Sequence, residues 1–94
     1  MITNSNLIGK GGFVFLDFEK ISNAEKYKRL GLNISLYRKM KGITQAELAE
    51  KVNISRTHMG NIEAPNIVKP ISLELAFDIA DALEIPVSKI FEMK

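Results

Sequence analysis

The pattern of apolar and polar positions changes period near residue 24. Ahead of it, "MITNSNLI" and "FVFLDFEKI" flank "GKGG". The second run carries apolar residues on both faces until Asp17, which favours a strand over a helix. Gly9, Gly11 and Gly12 suit a turn or a bulge. The expectation is a β-strand or hairpin in an N-terminal extension of residues 1–26. A lone two-stranded hairpin is marginal in water, so it must pack on the domain, pair with a second chain, or remain unfolded.

After residue 24 the period is helical. Leu30, Ile34, Tyr37 and Lys41 step along one stripe, with Leu36 and Met40 beside it, while Arg38 and Lys39 fall elsewhere on the same helix. Gly42 is placed to close this first helix. Thr44 opens a second, with Glu47 three residues on in the pattern of a capping box. Leu48, Ala49 and Val52 form its apolar face. Asn53 follows, a residue that tolerates the left-handed conformation of a tight turn. Ser55 caps a third helix with Met59 and Ile62 inward. "EAPNIVKP" is a loop, since Pro65 and Pro70 forbid a continued helix. Ser72 caps a fourth helix with Leu75, Ala76, Ile79, Ala80 and Leu83 inward. Glu84, Ile85 and Pro86 break it, and Val87, Ile90 and Phe91 form a short fifth helix that closes the core. The fold class is therefore all-α, with five helices in a domain of residues 27–94 behind the extension.

The second and third helices are short and separated by about three residues. That spacing is the signature of a helix-turn-helix, whose second helix enters the DNA major groove. The third helix bears Ser55, Arg56, Thr57, His58 and Asn61 between its apolar positions. Side chains of these types pair with the donors and acceptors on base edges. A helix that only packed could carry Glu and Lys there.

"LGLNISLYRKMKGITQAELAEKVNISRTHMGNIE" resembles the Cro and phage-repressor (XRE-like) type of helix-turn-helix protein, and "GITQAELAEKVNIS" is especially close to that pattern. "PISLELAFDIADALEIPVSKIF" is similar to the family's fourth and fifth helices, so the resemblance runs over roughly residues 29–92. It implies a five-helix, lambda-repressor-like DNA-binding domain that works as a homodimer on a near-palindromic operator. Carried over position by position, it implies that Gln45 grips a DNA phosphate and braces the recognition helix. Arg56, Thr57, His58 and Asn61 then fall where the family reads base edges. Thr44 and Ser55 stand beside the DNA backbone at the starts of their helices. The same resemblance makes Arg38 and Glu63 a structural ion pair between the first and third helices. Two departures stand out: Asn53 occupies a turn position that is often Gly, and the loop after Glu63 is longer and stiffened by Pro65. Lys39, Lys41 and Lys69 are further candidates for phosphate contacts.

Composition narrows the alternatives. Hydrophobic residues make up 46% of the 94 positions, enough for one compact core and too many for disorder. There is no cysteine, so disulfides and thiolate metal sites are excluded. His58 is the single histidine and has no carboxylate pair nearby, a poor metal site. No cofactor is expected. No apolar stretch approaches the length of a membrane helix and no signal peptide is evident, so the expectation is a cytoplasmic protein without membrane contact.

Net charge is +2, but unevenly spread. Residues 24–41 carry Lys26, Lys28, Arg29, Arg38, Lys39 and Lys41 against Glu25, a net +5, whereas residues 70–94 carry Lys89 and Lys94 against five carboxylates, a net −3. A domain polarised in this way can hold a polyanion on one face.

No nucleophile–base pair or metal cluster is visible, and "GKGG" lacks the spacing of a phosphate-binding loop, so an enzyme is not expected. The leading expectation is a sequence-specific DNA-binding transcriptional regulator, most simply a repressor, reading the major groove with helix 55–63. The alternative is a protein-interaction module, such as an antitoxin or regulatory partner, built on the same fold. Phe13, Phe15 and Phe18 lack interleaved basic residues and read as core or dimer packing rather than a stacking platform for bases.

Overall fold

The computed structural model describes residues 20–93, and the strand or hairpin expected near the N-terminus lies outside them. The described residues form five helices and no strand: α1 Asn23–Lys41, α2 Gln45–Lys51, α3 Arg56–Glu63, α4 Leu73–Leu83 and α5 Val87–Ile90. The all-α, five-helix expectation holds. α1 begins at Asn23, ahead of the position where the sequence pattern suggested that the domain starts.

Local chemistry explains where the helices begin. The hydroxyls of Ser22, Thr44, Ser55 and Ser72 accept from the backbone N–H three residues on, at 3.1, 3.0, 2.9 and 3.1 Å respectively. Each such cap satisfies an otherwise orphan donor and contributes about 1 kcal/mol. At α2 the cap is reciprocal, because Thr44 N–H donates to Glu47 Oε1 at 2.7 Å.

Three helices also end alike. Gly42, Asn53 and Glu84 follow α1, α2 and α4 with φ of 79°, 61° and 60°. In each case the next N–H, that of Ile43, Ile54 or Ile85, reaches back to the carbonyl of Arg38, Ala49 or Ala80. This is the Schellman arrangement, and it places an isoleucine where it can fold back onto the last turn. All three isoleucines pack on the core. The sequence pattern therefore does two things at each end: it stops the helix and it anchors the exit.

The core is one cluster, with Ile34, Leu48, Met59, Ile79 and Ile90 fully buried at its centre. Gly31 allows α1 and α3 to approach closely. A Cβ at that position would stand 2.0 Å from the backbone oxygen of Ile62, so no larger residue fits without separating the two helices.

Three sequence expectations need correction. Leu36 and Met40 are 52% and 71% exposed, and Lys41 is exposed as well. Arg38, by contrast, is buried, although it was placed off the inward stripe. At 3.6 residues per turn, Arg38 lies about 40° around the helix from Ile34, whereas Leu36 and Met40 lie about 160° and 120° away. Lys41 shares the inward direction but extends past the core at the end of α1. Finally, Phe91 follows α5 rather than closing the core within it, and it stays 36% exposed, while Ile90 is fully buried.

The chain after α5 is tied to α1 by a residue that the sequence did not single out. Asn33 Nδ2 donates to the carbonyls of Ile90 and Glu92 at 2.8 and 2.7 Å. These are carbonyls at a helix end that no intrahelical donor can reach.

Candidate nucleic-acid interface

α2 and α3 pack on each other and on α1, which fixes how α3 is presented. The apolar side of α3, Met59 and Ile62, is buried. Its exposed side follows from the same helical period. Thr57 and Asn61 stand one turn apart on the outermost line, the first exposed and the second half-buried. Arg56 and Gly60 lie on the flank nearest α2, and His58, half-buried, lies on the opposite flank.

Gly60 leaves room on that flank. A Cβ there would meet Gln45 Oε1 at 3.6 Å and Arg56 Nη1 at 3.7 Å. The side chains of Gln45 and Arg56 therefore converge over the bare backbone of Gly60. The first residue of α2 and the first residue of α3 present their polar ends at one place.

Below this surface lies a buried ionic clamp. Arg38 Nε and Nη2 donate to the two carboxylate oxygens of Glu63 at 2.8 and 2.9 Å. Arg38 Nη1 donates to the carbonyl of Ile43 at 2.8 Å, which pins the turn between α1 and α2. Gln45 Nε2 donates to Glu63 Oε1 at 3.0 Å. One carboxylate at the end of α3 thus accepts from α1 and α2 at once. The side chains of Arg38 and Glu63 are only 10% and 3% exposed, so the pair is a registering device that holds three helices in one geometry.

The clamp leaves Gln45 with spare capacity. Its amide carries two hydrogens, and one is committed to Glu63. The second can donate outward. Thr44 and Ser55 use their hydroxyl oxygens as acceptors for the caps, and each keeps its own O–H hydrogen for an outside acceptor. Lys69 sits exposed in the loop between α3 and α4, with no ion pair to α2 or α3.

The basic character of residues 24–41 is partly spent inside the fold. Arg38 is buried against Glu63, Arg29 pairs with Glu25 at 3.3 Å, and Lys41 pairs with Glu84 at 3.1 Å. Lys26, Lys28 and Lys39 make no ion pair among the described residues. No group of three or more acidic, histidine or cysteine side chains among the described residues is arranged to hold a metal ion. No described helix is long and apolar enough to cross a membrane.

The order of helices and the tight α2–α3 turn match a family model described as helix-turn-helix (HTH_3), over residues 34–90. The chain belongs to this helix-turn-helix family. The match begins inside α1, ends with α5, and includes every residue of the clamp and of the polar face of α3.

Solved structures agree. The N-terminal DNA-binding domain of SinR from Bacillus subtilis is 28% identical, with a TM-score of 0.62 over 71% of this chain and 96% of that one. The restriction-modification controller protein C.AhdI from Aeromonas hydrophila is 25% identical, with a TM-score of 0.65 over 71% and 98%. SinR, the master regulator for biofilm formation, in complex with DNA matches at 28% identity and a TM-score of 0.61, over 67% and 98%. No curated protein sequence matches the chain. Helix-turn-helix membership, with regulators as structural neighbours, makes this a non-enzymatic protein.

Proposed function

We propose that the protein is a sequence-specific DNA-binding transcriptional regulator, a repressor in its simplest form, that reads the major groove with α3. The observation that carries this reading is the polar face of α3, held rigid from behind by the Arg38–Glu63–Gln45 clamp. A reading helix must be both polar outward and fixed in register, because a misplaced helix aligns none of its side chains with base edges. SinR, similar to this chain over two thirds of its length, has been seen bound to DNA, which supports the assignment.

In this reading Arg56 donates to a purine edge, guanine being the base best matched to its two parallel N–H groups. Thr57 and Asn61 contact base edges further along the groove, and His58 contacts a base or a phosphate on the far flank. Gln45 uses its second amide hydrogen on a phosphate, joined by the hydroxyls of Thr44 and Ser55 and the ammonium of Lys69. These contacts set position rather than sequence. Two copies of the chain read half-sites about 34 Å apart, one turn of DNA, on a near-palindromic operator.

Selection from random duplex DNA tests the proposal. The expected outcome is an enriched motif with two inverted half-sites whose centres lie about 10 base pairs apart. A pool that stays unenriched after repeated rounds contradicts it.

A further inference from the structure

α1 carries a second apolar stripe that the core does not use. Leu32, Leu36 and Met40 recur every four residues on the side away from Ile34, and they are 52%, 52% and 71% exposed. Arg29 extends the stripe toward the start of the helix. Arg29, Leu32 and Leu36 also border a groove whose other wall includes Tyr37 and Glu92. The outer face of a surface helix is normally polar, and a line of three large apolar side chains marks a face that something covers.

The sequence supplies a cover of matching period. Residues 1–19 precede the described part and join it just ahead of Ser22, the cap of α1. They contain "FVFLDFEK", in which Phe13, Phe15 and Asp17 share one side of an extended chain. Alternate residues of such a chain are about 6.6 Å apart, close to the roughly 6 Å between residues four apart on a helix. The two patterns therefore stay in step when laid side by side.

Reach and charge select the register. Measured from Ser22, Arg29, Leu36 and Met40 lie about 10, 21 and 27 Å along α1. Asp17, Phe15 and Phe13 can extend about 16, 23 and 30 Å from the same Ser22. Each exceeds the distance it must cover by a few ångströms, which the reversal of direction takes up. The single acid among the three then arrives at the single base of the stripe, and the two rings arrive at its apolar end. We propose that residues 13–18 fold back along the outer face of α1 in the same chain, with Phe15 over Leu36, Phe13 over Met40 and Asp17 at Arg29. The short connection through Lys20 and Ile21 keeps the effective concentration of the segment in the millimolar range, which favours this chain over a second copy.

The chain has no cysteine, so a reporter pair can be introduced cleanly in the full-length protein. With Phe15→Cys and Leu36→Cys together, mild oxidation is expected to close a disulfide within one chain in most molecules, at a yield independent of protein concentration. The pair Phe15→Cys with Asp81→Cys, on α4, serves as the control and is expected to close at least tenfold more slowly. Disulfide-linked dimers that grow with concentration would assign the stripe to a second copy and overturn the proposal. A yield no better than the control would overturn it too. As an independent readout without cysteines, Phe13→Ala is expected to shift the Met40 methyl resonance by removing a ring above it, and an unmoved resonance contradicts the proposed register.

Discussion

Gly31 and Gly60 both lie inside helices and answer opposite demands. At Gly31 a methyl group would stand 2.0 Å from the backbone oxygen of Ile62, and backbone cannot step aside as a flexible side chain can. Gly31→Ala should therefore destabilise the fold by about 1–3 kcal/mol, the usual range for forced overpacking. At Gly60 the same methyl meets only side-chain atoms at 3.6 and 3.7 Å, ordinary contact distances. Gly60→Ala should be neutral or stabilising by up to about 1 kcal/mol, because alanine favours the helix. Urea unfolding of both variants checks the contrast, and equal effects would contradict the packing described for α1 against α3. Neither role is legible in the sequence, where each glycine reads only as a weak helix former. The roles depend on what the third dimension brings opposite them. The polar set on α3 was legible residue by residue, because alternation with Met59 and Ile62 fixes which side chains face outward.

At the scale of elements, boundaries were readable wherever one residue type carries the signal. Serine and threonine caps, Gly42 and Asn53 declare themselves by chemistry. Glu84 does not: it adopts φ 60° after α4, where its Cβ is unfavourable. Its ion pair with Lys41 is largely exposed and contributes little against that strain. Glu84→Gly should raise stability by about 0.5–1 kcal/mol, read as a higher midpoint in thermal or urea unfolding; a lower midpoint would contradict the account of this helix end.

The clamp makes the opposite prediction. Arg38→Ala strands Glu63 as a buried, unpartnered carboxylate and frees the Ile43 carbonyl, so a loss of about 3–5 kcal/mol is expected in the same unfolding assay. A loss below about 1 kcal/mol would show that the pair does not hold the helices together. The stripe on α1 shows where periodicity failed. Apolar residues occupy two sides of that helix, so the pattern has little contrast, and Leu36 and Met40 were read beside the inward face instead of opposite it.

Over the whole molecule, the fold was more legible than its charge. A tally along the chain gave residues 24–41 a net +5, yet the structure buries Arg38 and pairs Arg29 and Lys41, leaving three lysines of that segment without ion pairs. Affinity for DNA should therefore depend on salt less steeply than the charge count suggests. Gln45→Ala provides a test of positioning by a neutral group. It should weaken binding to all sequences by a similar factor and leave the salt slope unchanged, since no cation is removed. A steepened or flattened slope would contradict the role given to Gln45. Lys69→Ala, in contrast, should reduce the slope by about one unit.

The central claim is that α3 reads sequence, and Arg56 is the residue best placed to show it. The most direct measurement is fluorescence anisotropy of wild-type protein and Arg56→Ala on a selected operator and on a scrambled duplex, at one salt concentration. The account predicts that wild type prefers the operator and that the variant, still folded, loses about 1–3 kcal/mol of that preference while keeping its affinity for scrambled DNA nearly intact. An undiminished preference in the variant, or wild-type protein that binds both duplexes equally, would contradict it.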